Sequence, residues 1–149
     1  HTDYGLLTIL ATDGRPGLEV RTATGWQPVP AVPDAFVVNI GDMLDRLTGG
    51  RYRSTPHRVR SQPDDADTDT DAGTAAADRL SFPCFFDPSW GARVAPLPLA
   101  GPVPADDAAT RWDGESVHGA AGTYGEHLVS RVARVFPELG LEVLGPDRG

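Results

Sequence analysis

The sequence predicts a mainly β protein of the jelly-roll type, two packed sheets of short strands, with one α-helix at its C-terminal end. Three observations carry this. Gly and Pro supply 17 and 14 of 149 residues, about 21% against a background near 12%, which disfavours a helical bundle and favours a turn-rich β protein. The apolar segments are short and the connections between them long. Only Tyr124 to Phe136 repeats its apolar residues at helical spacing. With 40% hydrophobic residues, three Trp and five Phe, the chain has enough apolar material for a core, and its length suits one domain.

Tyr4 to Leu10 is an apolar run stopped by Asp13-Gly14, the pattern of a buried strand entering a turn. Leu18 and Val20 alternate with Glu19 and Arg21 ahead of Gly25 and form its expected hairpin partner. Ala35 to Ile40 is a further buried strand. Gly41-Asp42 punctuates it, with Asp42 expected as a turn carboxylate, and Met43 to Leu47 makes at most a short helix before Gly49-Gly50. Arg51 to Arg60 reads as a strand interrupted by Pro56, hence at a sheet edge or a bulge. Residues 62–77, rich in Asp, Thr and Ala, are too polar to pack and read as a flexible acidic insertion at a loop tip. Leu80 to Phe86 resumes the sheet, with Cys84 expected in the core beside Leu80, Phe82 and Phe86. Residues 87–122 are dominated by Pro, Gly and Ala, with Trp90 and Trp112 as anchors. Leu128, Val129, Val132, Val135 and Phe136 mark the last helix, stopped by Pro137. There is no internal repeat.

The formal charge of -8 is concentrated in one place. Asp64, Asp65, Asp67, Asp69, Asp71 and Asp78 fall in a stretch without a basic residue, so the rest of the chain is nearly neutral. No basic face is left for nucleic acid, and no apolar run approaches the roughly 20 residues of a membrane span. The aspartates lack the Gly and Glu of an EF-hand calcium loop. The single Cys excludes an internal disulfide framework and a Cys-based zinc site. With no signal peptide in view, a cytoplasmic location is expected. The oligomeric state is left open. The chain begins at His1 and not at Met, and reads as part of a longer protein.

The candidate chemistry starts with His1 and Asp3. In an extended segment residues i and i+2 point to one face, roughly 6–7 Å apart, so an imidazole and a carboxylate can converge on one ion. His57 lies in another strand after Thr55-Pro56. Two His and one carboxylate form the facial triad of non-haem Fe(II), which leaves adjacent coordination positions open. Against this stand a frayed terminus and a His57 satisfied within a core. Arg79 and Ser81 share one face of a strand and suit one carboxylate, with the guanidinium bidentate and the hydroxyl adding a third hydrogen bond. The bland reading is a surface Arg beside a strand Ser. Asn39 and Tyr52 are possible substrate contacts or supports of the metal ligands. His118 and His127 are expected to be solvated.

Taken in order, His1-Thr2-Asp3 with Gly5-Leu6-Leu7-Thr8, Asn39-Ile40-Gly41-Asp42, Tyr52-Arg53-Ser54-Thr55-Pro56-His57-Arg58-Val59 and Arg79-Leu80-Ser81 resemble the isopenicillin N synthase-like Fe(II)/2-oxoglutarate-dependent dioxygenases. Thr123-Tyr124-Gly125 and Val135-Phe136-Pro137 fit the same resemblance, which covers nearly the whole chain in the right order. It implies an incomplete double-stranded β-helix, the C-terminal catalytic half of one jelly-roll domain, without the N-terminal half that closes the barrel. It implies Fe(II) on His1, Asp3 and His57, 2-oxoglutarate held at its distal carboxylate by Arg79 and Ser81, and O2 as oxidant. The expected products are succinate, carbon dioxide and an oxidised small-molecule substrate, with hydroxylation as the default outcome. Twenty-one residues separate His57 from Arg79, more than the family's hairpin, and the surplus coincides with the acidic tract. The chain alone is expected to be inactive. Three alternatives stay open: an iron oxidase of the same family that does not use 2-oxoglutarate, a copper site on a terminal His1, and a non-catalytic jelly-roll binding module.

Overall fold

The computed structural model describes residues 1–60, 79–119 and 121–138, and builds them into six strands and two α-helices. The strands are β1 (Leu7–Thr12), β2 (Leu18–Thr22), β3 (Gly25–Pro28), β4 (Val37–Ile40), β5 (His57–Val59) and β6 (Ser81–Phe86). The helices are α1 (Asp42–Leu47) and α2 (Tyr124–Val135). Two three-stranded antiparallel sheets result, ordered β4-β1-β6 and β3-β2-β5. Mainly β architecture with strands shared between two sheets and a C-terminal helix is what the sequence predicts. The acidic tract at 62–77 lies outside the described residues.

The expected hairpin of β1 with β2 does not form. Between them Gly14 and Gly17 take φ values of 84° and 128° around Pro16, and this turn carries the chain out of one sheet and into the other. β2 pairs instead with β3, across a two-residue connection that aligns Thr22 with Gly25. β5 is shorter than the predicted 51–60 and starts only after Pro56, which has no N–H for the ladder. It lies at the sheet edge, as Pro56 implies.

Register decides which side chains of the first sheet share a face. Thr8 lies opposite Asn39 and Phe85, and Thr12 lies opposite Ser81. Thr8, Leu10, Thr12, Asn39 and Ser81 therefore share one face. Ile9, Val38 and Cys84 occupy the other. Cys84 is exposed on that face between Phe82 and Phe86, themselves exposed, so its predicted place in the core is not observed.

The buried apolar cluster sits between the helices. Met43, Val94 and Tyr124 form it, with Leu6, Leu47, Ala92 and Leu128 packed around them. A capping box opens α2: Thr123 accepts from the Glu126 amide, and the Glu126 carboxylate accepts from the Thr123 amide. Trp90 touches α2, since a Cβ at Gly125 would lie 2.3 Å from its ring, but it is 62% exposed and is not the buried anchor expected. Trp112 is exposed. None of the described helices is long and apolar enough to cross a membrane.

His127 is not solvated. It lies on the inner side of α2, its Nε2 buried, and burial with Arg46 and Arg131 nearby pushes its pKa down to about 4 against the partial opposition of Glu115 and the Tyr4 backbone. The folded protein therefore disfavours the imidazolium that the unfolded chain forms below its ordinary pKa of 6.5. Stability from this group is complete above about pH 6.5 and declines as the pH falls toward about 4. The displacement corresponds to roughly 3 kcal/mol. The melting temperature is expected to drop more between about pH 7 and pH 5 in the unaltered protein than in His127→Gln, and equal drops would remove His127 from the acid response.

Candidate metal centre

A short stretch ahead of β1 crosses between the two sheets. The amide of His57 donates to the carbonyl of His1 at 3.0 Å, and the His1 amine donates back to the carbonyl of His57 at 3.3 Å. His1 thus extends the second sheet along the free edge of β5 and is tied by two backbone hydrogen bonds, not frayed. From Leu7 the chain runs in the other sheet. The turn between needs glycine at two places. A Cβ at Gly5 would sit 1.6 Å from the Asp87 carboxylate, and one at Gly41 would sit 2.3 Å from the carbonyl of Gly5.

This crossing brings His1, Asp3 and His57 together, with one potential donor atom of each within 4.8 Å of the others. The Nε2 atoms of His1 and His57 lie 3.7 and 3.5 Å from Oδ1 of Asp3. The two rings meet edge to face with centroids 4.3 Å apart. Asp3 and His57 are largely enclosed, whereas His1 is 68% exposed. The other carboxylate oxygen, Oδ2, accepts from the Thr8 hydroxyl at 2.6 Å and from Nδ2 of Asn39 at 2.8 Å. One oxygen is therefore spent on orientation and the other is turned to both imidazoles.

His57 meets an acceptor and a donor at its remote ring nitrogen. Its Nδ1 lies 3.2 Å from the carbonyl of Thr55 and 3.1 Å from Nδ2 of Asn39. With its proton on Nδ1 the ring donates to this carbonyl and turns a lone pair on Nε2 toward Asp3; in the other tautomer Nδ1 accepts from the second N–H of Asn39. Binding of a metal ion through Nε2 selects the first of these. A backbone carbonyl fixing the remote nitrogen is the usual support of a metal-binding histidine.

The donor chemistry fits Fe(II). Two imidazole nitrogens and one carboxylate oxygen on one side of an ion are the facial triad of non-haem iron, while calcium and magnesium take oxygen donors and structural zinc takes four Cys or His.

Ser81 stands at the start of β6 on the face that Thr8 and Asn39 share, the side on which Asp3 is held. Arg79 precedes it, with Nε donating to the carbonyl of Arg15 at 3.4 Å. Its Cδ lies 3.7 Å from where a Gly17 Cβ would stand, and Val59 flanks the same point. Val59 shares a strand face with His57. Asp13 fixes the backbone between Arg79 and Ser81, its carboxylate accepting from the Leu80 amide at 2.8 Å and its own amide donating to the Leu80 carbonyl at 3.2 Å. The Leu80 amide holds the Asp13 carboxyl below its ordinary pKa. Among the described residues neither Arg79 nor Ser81 hydrogen-bonds the His1–Asp3–His57 cluster. Tyr52 is exposed, its amide donating to the Thr48 hydroxyl at 3.2 Å.

Behind the cluster lies a cavity of about 810 Å³ lined by none of its three residues. Thr2, which alternates with His1 and Asp3, opens onto it together with Asp42, Asp45, Ser54, Arg111 and Arg131. Asp42 is not the turn carboxylate expected: it is buried beside Arg131, and burial raises its pKa against the pull of Ser54 and Arg131. Sequence reasoning gives no role to Arg131 or Asp45. Arg131 follows Tyr124 and Leu128 on the inner stripe of α2, and a charge on an apolar stripe is the signal of a buried partner.

A family model described as the 2OG-Fe(II) oxygenase superfamily matches residues 1–88. A protein of Dictyostelium discoideum named as a probable iron/ascorbate oxidoreductase is 43% identical over 97% of this chain and 37% of its own length. A 1-aminocyclopropane-1-carboxylate oxidase of Dictyostelium mucoroides is 37% identical over 93% of this chain and 35% of its own. The chain therefore spans little more than a third of these relatives. Among solved structures, the dioxygenase for auxin oxidation of rice superposes with a TM-score of 0.64 at 28% identity, covering 91% of this chain and 40% of that one. A full-length Neurospora crassa protein in complex with alpha-KG and 5-formyluracil does so with a TM-score of 0.66 at 27% identity, covering 90% of this chain and 38% of that one.

Proposed function

The chain belongs to the 2OG-Fe(II) oxygenase superfamily, and from that premise we propose that it supplies the metal- and co-substrate-binding part of an enzyme that oxidises a small molecule with O2 and 2-oxoglutarate. The observation that carries the reading is the division of labour at Asp3, one oxygen locked by Thr8 and Asn39 and the other facing two imidazole nitrogens. His1, Asp3 and His57 would hold Fe(II). When bound, Fe(II) supplies the reduction of O2, one oxygen atom entering succinate as carbon dioxide is lost and the other entering the substrate.

The residues of the chain contribute position and charge. Thr8 and Asn39 restrict rotation of the Asp3 carboxylate, and the Thr55 carbonyl accepts from Nδ1 of His57 when Nε2 holds the metal. Arg79 offers the guanidinium, and Ser81 the hydroxyl, to the distal carboxylate of 2-oxoglutarate. Asp13 holds the backbone that carries both. Ferrous iron and the exposed thiol of Cys84 both persist in a reducing compartment, which supports a cytoplasmic site of action.

The rival is an iron oxidase of the same family that works without 2-oxoglutarate. Succinate separates the two. Joined to an N-terminal half that closes the barrel and given Fe(II), O2 and 2-oxoglutarate, the chain is expected to release succinate in step with oxygen uptake, and oxygen uptake without succinate would sink the co-substrate assignment. Removal of the Asn39 amide should be felt at the metal, since partners of metal ligands typically contribute about 10–100-fold in affinity. Asn39→Ala is expected to weaken Fe(II) binding within that range, and an unchanged affinity would mean that Thr8 alone orients Asp3.

A further inference from the structure

We propose that α1 is the mount of the metal centre, and that Asp42 and Asp45, each paired with a buried arginine from the C-terminal part of the chain, are positioning residues that set the placement of Asp3 relative to His57. The inference rests on the reading of His1, Asp3 and His57 as metal ligands. It concerns residues that touch neither metal nor co-substrate.

Both ligand-bearing segments hang on α1. The amide of Asp42 donates to the carbonyl of Asp3 at 2.7 Å, flanked by donation from Gly41 to Leu6 at 2.9 Å and from Met43 to Gly5 at 3.0 Å. The carboxylate of Asp45, three residues on, accepts from the amide of Ser54 at 2.9 Å and so fixes the segment that leads to His57. One short helix thus grips the Asp3 segment with main-chain donors and the His57 segment with a side-chain acceptor.

A six-residue helix does not hold its own position, because isolated helices of that length are unstable in water. Besides Met43 in the apolar cluster, two arginines secure it. Arg131 of α2 lies 3.1 Å from Asp42 and 2.7 Å from Asp113, and is 6% exposed. Arg111 reaches Asp45 at 2.6 and 3.2 Å and Asp107 at 2.5 Å, and is 9% exposed. Asp45 itself is fully buried. Buried ion pairs can often be replaced by apolar residues of similar size without loss of stability, so stability by itself does not account for these. Here they lie at i and i+3 on one helix, each beside the strand or loop that carries a ligand. The C-terminal part of the chain, which holds no ligand, would in this way set the ligand geometry.

The variants Asp42→Asn and Asp45→Asn leave each arginine a carboxylate partner, Asp113 for Arg131 and Asp107 for Arg111, so neither strands a lone buried charge. Fe(II) affinity is measured by anaerobic calorimetry, the visible band is recorded after 2-oxoglutarate is added, and the melting temperature is followed alongside. The control is Gly25→Ala, which strains the β2–β3 turn, where Gly25 takes a φ of 114°, and leaves both helices untouched. Each Asn variant is expected to weaken Fe(II) by about tenfold or more, as loss of a ligand's support does, and to shift the band. Gly25→Ala is expected to lower the melting temperature and leave Fe(II) affinity close to that of the unaltered protein. The double Asn variant is expected to lose less than the product of the single losses, because both act through one helix. Should either Asn variant fail to fold, Arg131→Lys and Arg111→Lys, which keep the charge and lose the fork, are measured in the same way with the same expectation. Affinity and band unchanged in folded variants, or a loss that Gly25→Ala matches at equal melting temperature, would overturn the inference while leaving the metal assignment intact. No Fe(II) binding by the unaltered protein would overturn both.

Discussion

Replacement of Asp3 by Ala is expected to abolish Fe(II) binding and turnover. The carboxylate is the one anionic donor of the set, and its Oδ1 is the atom toward which both imidazoles converge at 3.5 and 3.7 Å. Loss of a supporting partner already costs about 10–100-fold in affinity, so loss of the ligand should cost more than that. The substitution also leaves the Thr8 hydroxyl and the Asn39 amide without their acceptor in a buried place, which destabilises the fold by about 1–3 kcal/mol per group. Asp3→Asn separates the two effects, since the amide can still accept from Thr8 but contributes no charge to the metal. Near-normal Fe(II) affinity in Asp3→Asn would take Asp3 out of the ligand set.

Arg79→Ala is expected to raise the concentration of 2-oxoglutarate needed for half-saturation by tens-fold or more while leaving Fe(II) affinity close to that of the unaltered protein. Truncating one partner of a desolvated, hydrogen-bonded charge pair costs about 2–5 kcal/mol. Arg79→Lys should also be impaired, because an ammonium cannot reproduce the planar fork that meets a carboxylate with two hydrogen bonds. Ser81→Ala removes a single neutral donor and should have the smaller effect. Unchanged saturation by 2-oxoglutarate in Arg79→Ala would mean that the guanidinium serves only its contact with the carbonyl of Arg15.

Much of the site is legible from residue order. His1, Asp3 and His57 stand out because an imidazole and a carboxylate two residues apart in an extended segment must share a face, and because Pro56 marks the strand edge at which His57 lies. Asn39 reads as a possible support of the ligands, and the register of β4 against β1 places it opposite Thr8, on the face of Asp3. What residue order does not carry is which sheet each strand joins. The alternation of Leu18 and Val20 with charged residues specifies a half-buried strand and says nothing of its partner, so the expected hairpin with β1 is incorrect. Cys84 departs from expectation for a related reason, since an apolar run in a strand does not tell which of its faces is covered. Asp42 and Asp45 escape notice because a carboxylate after Gly, in a chain this acidic, reads as a turn or a solvated helix face. Only the arginines brought in from beyond residue 110 reveal them as buried.

The most direct test of the account is an anaerobic titration of the protein with Fe(II) and then 2-oxoglutarate, followed in the visible range. One facial site with an adjacent carboxylate-binding Arg predicts saturable binding of one Fe(II) per chain, and a charge-transfer band that appears only when 2-oxoglutarate is added and is absent in Asp3→Ala. Fe(II) bound without any such band, or a band of undiminished intensity in Asp3→Ala, would contradict the assignment of His1, Asp3 and His57 as the centre at which the co-substrate is held.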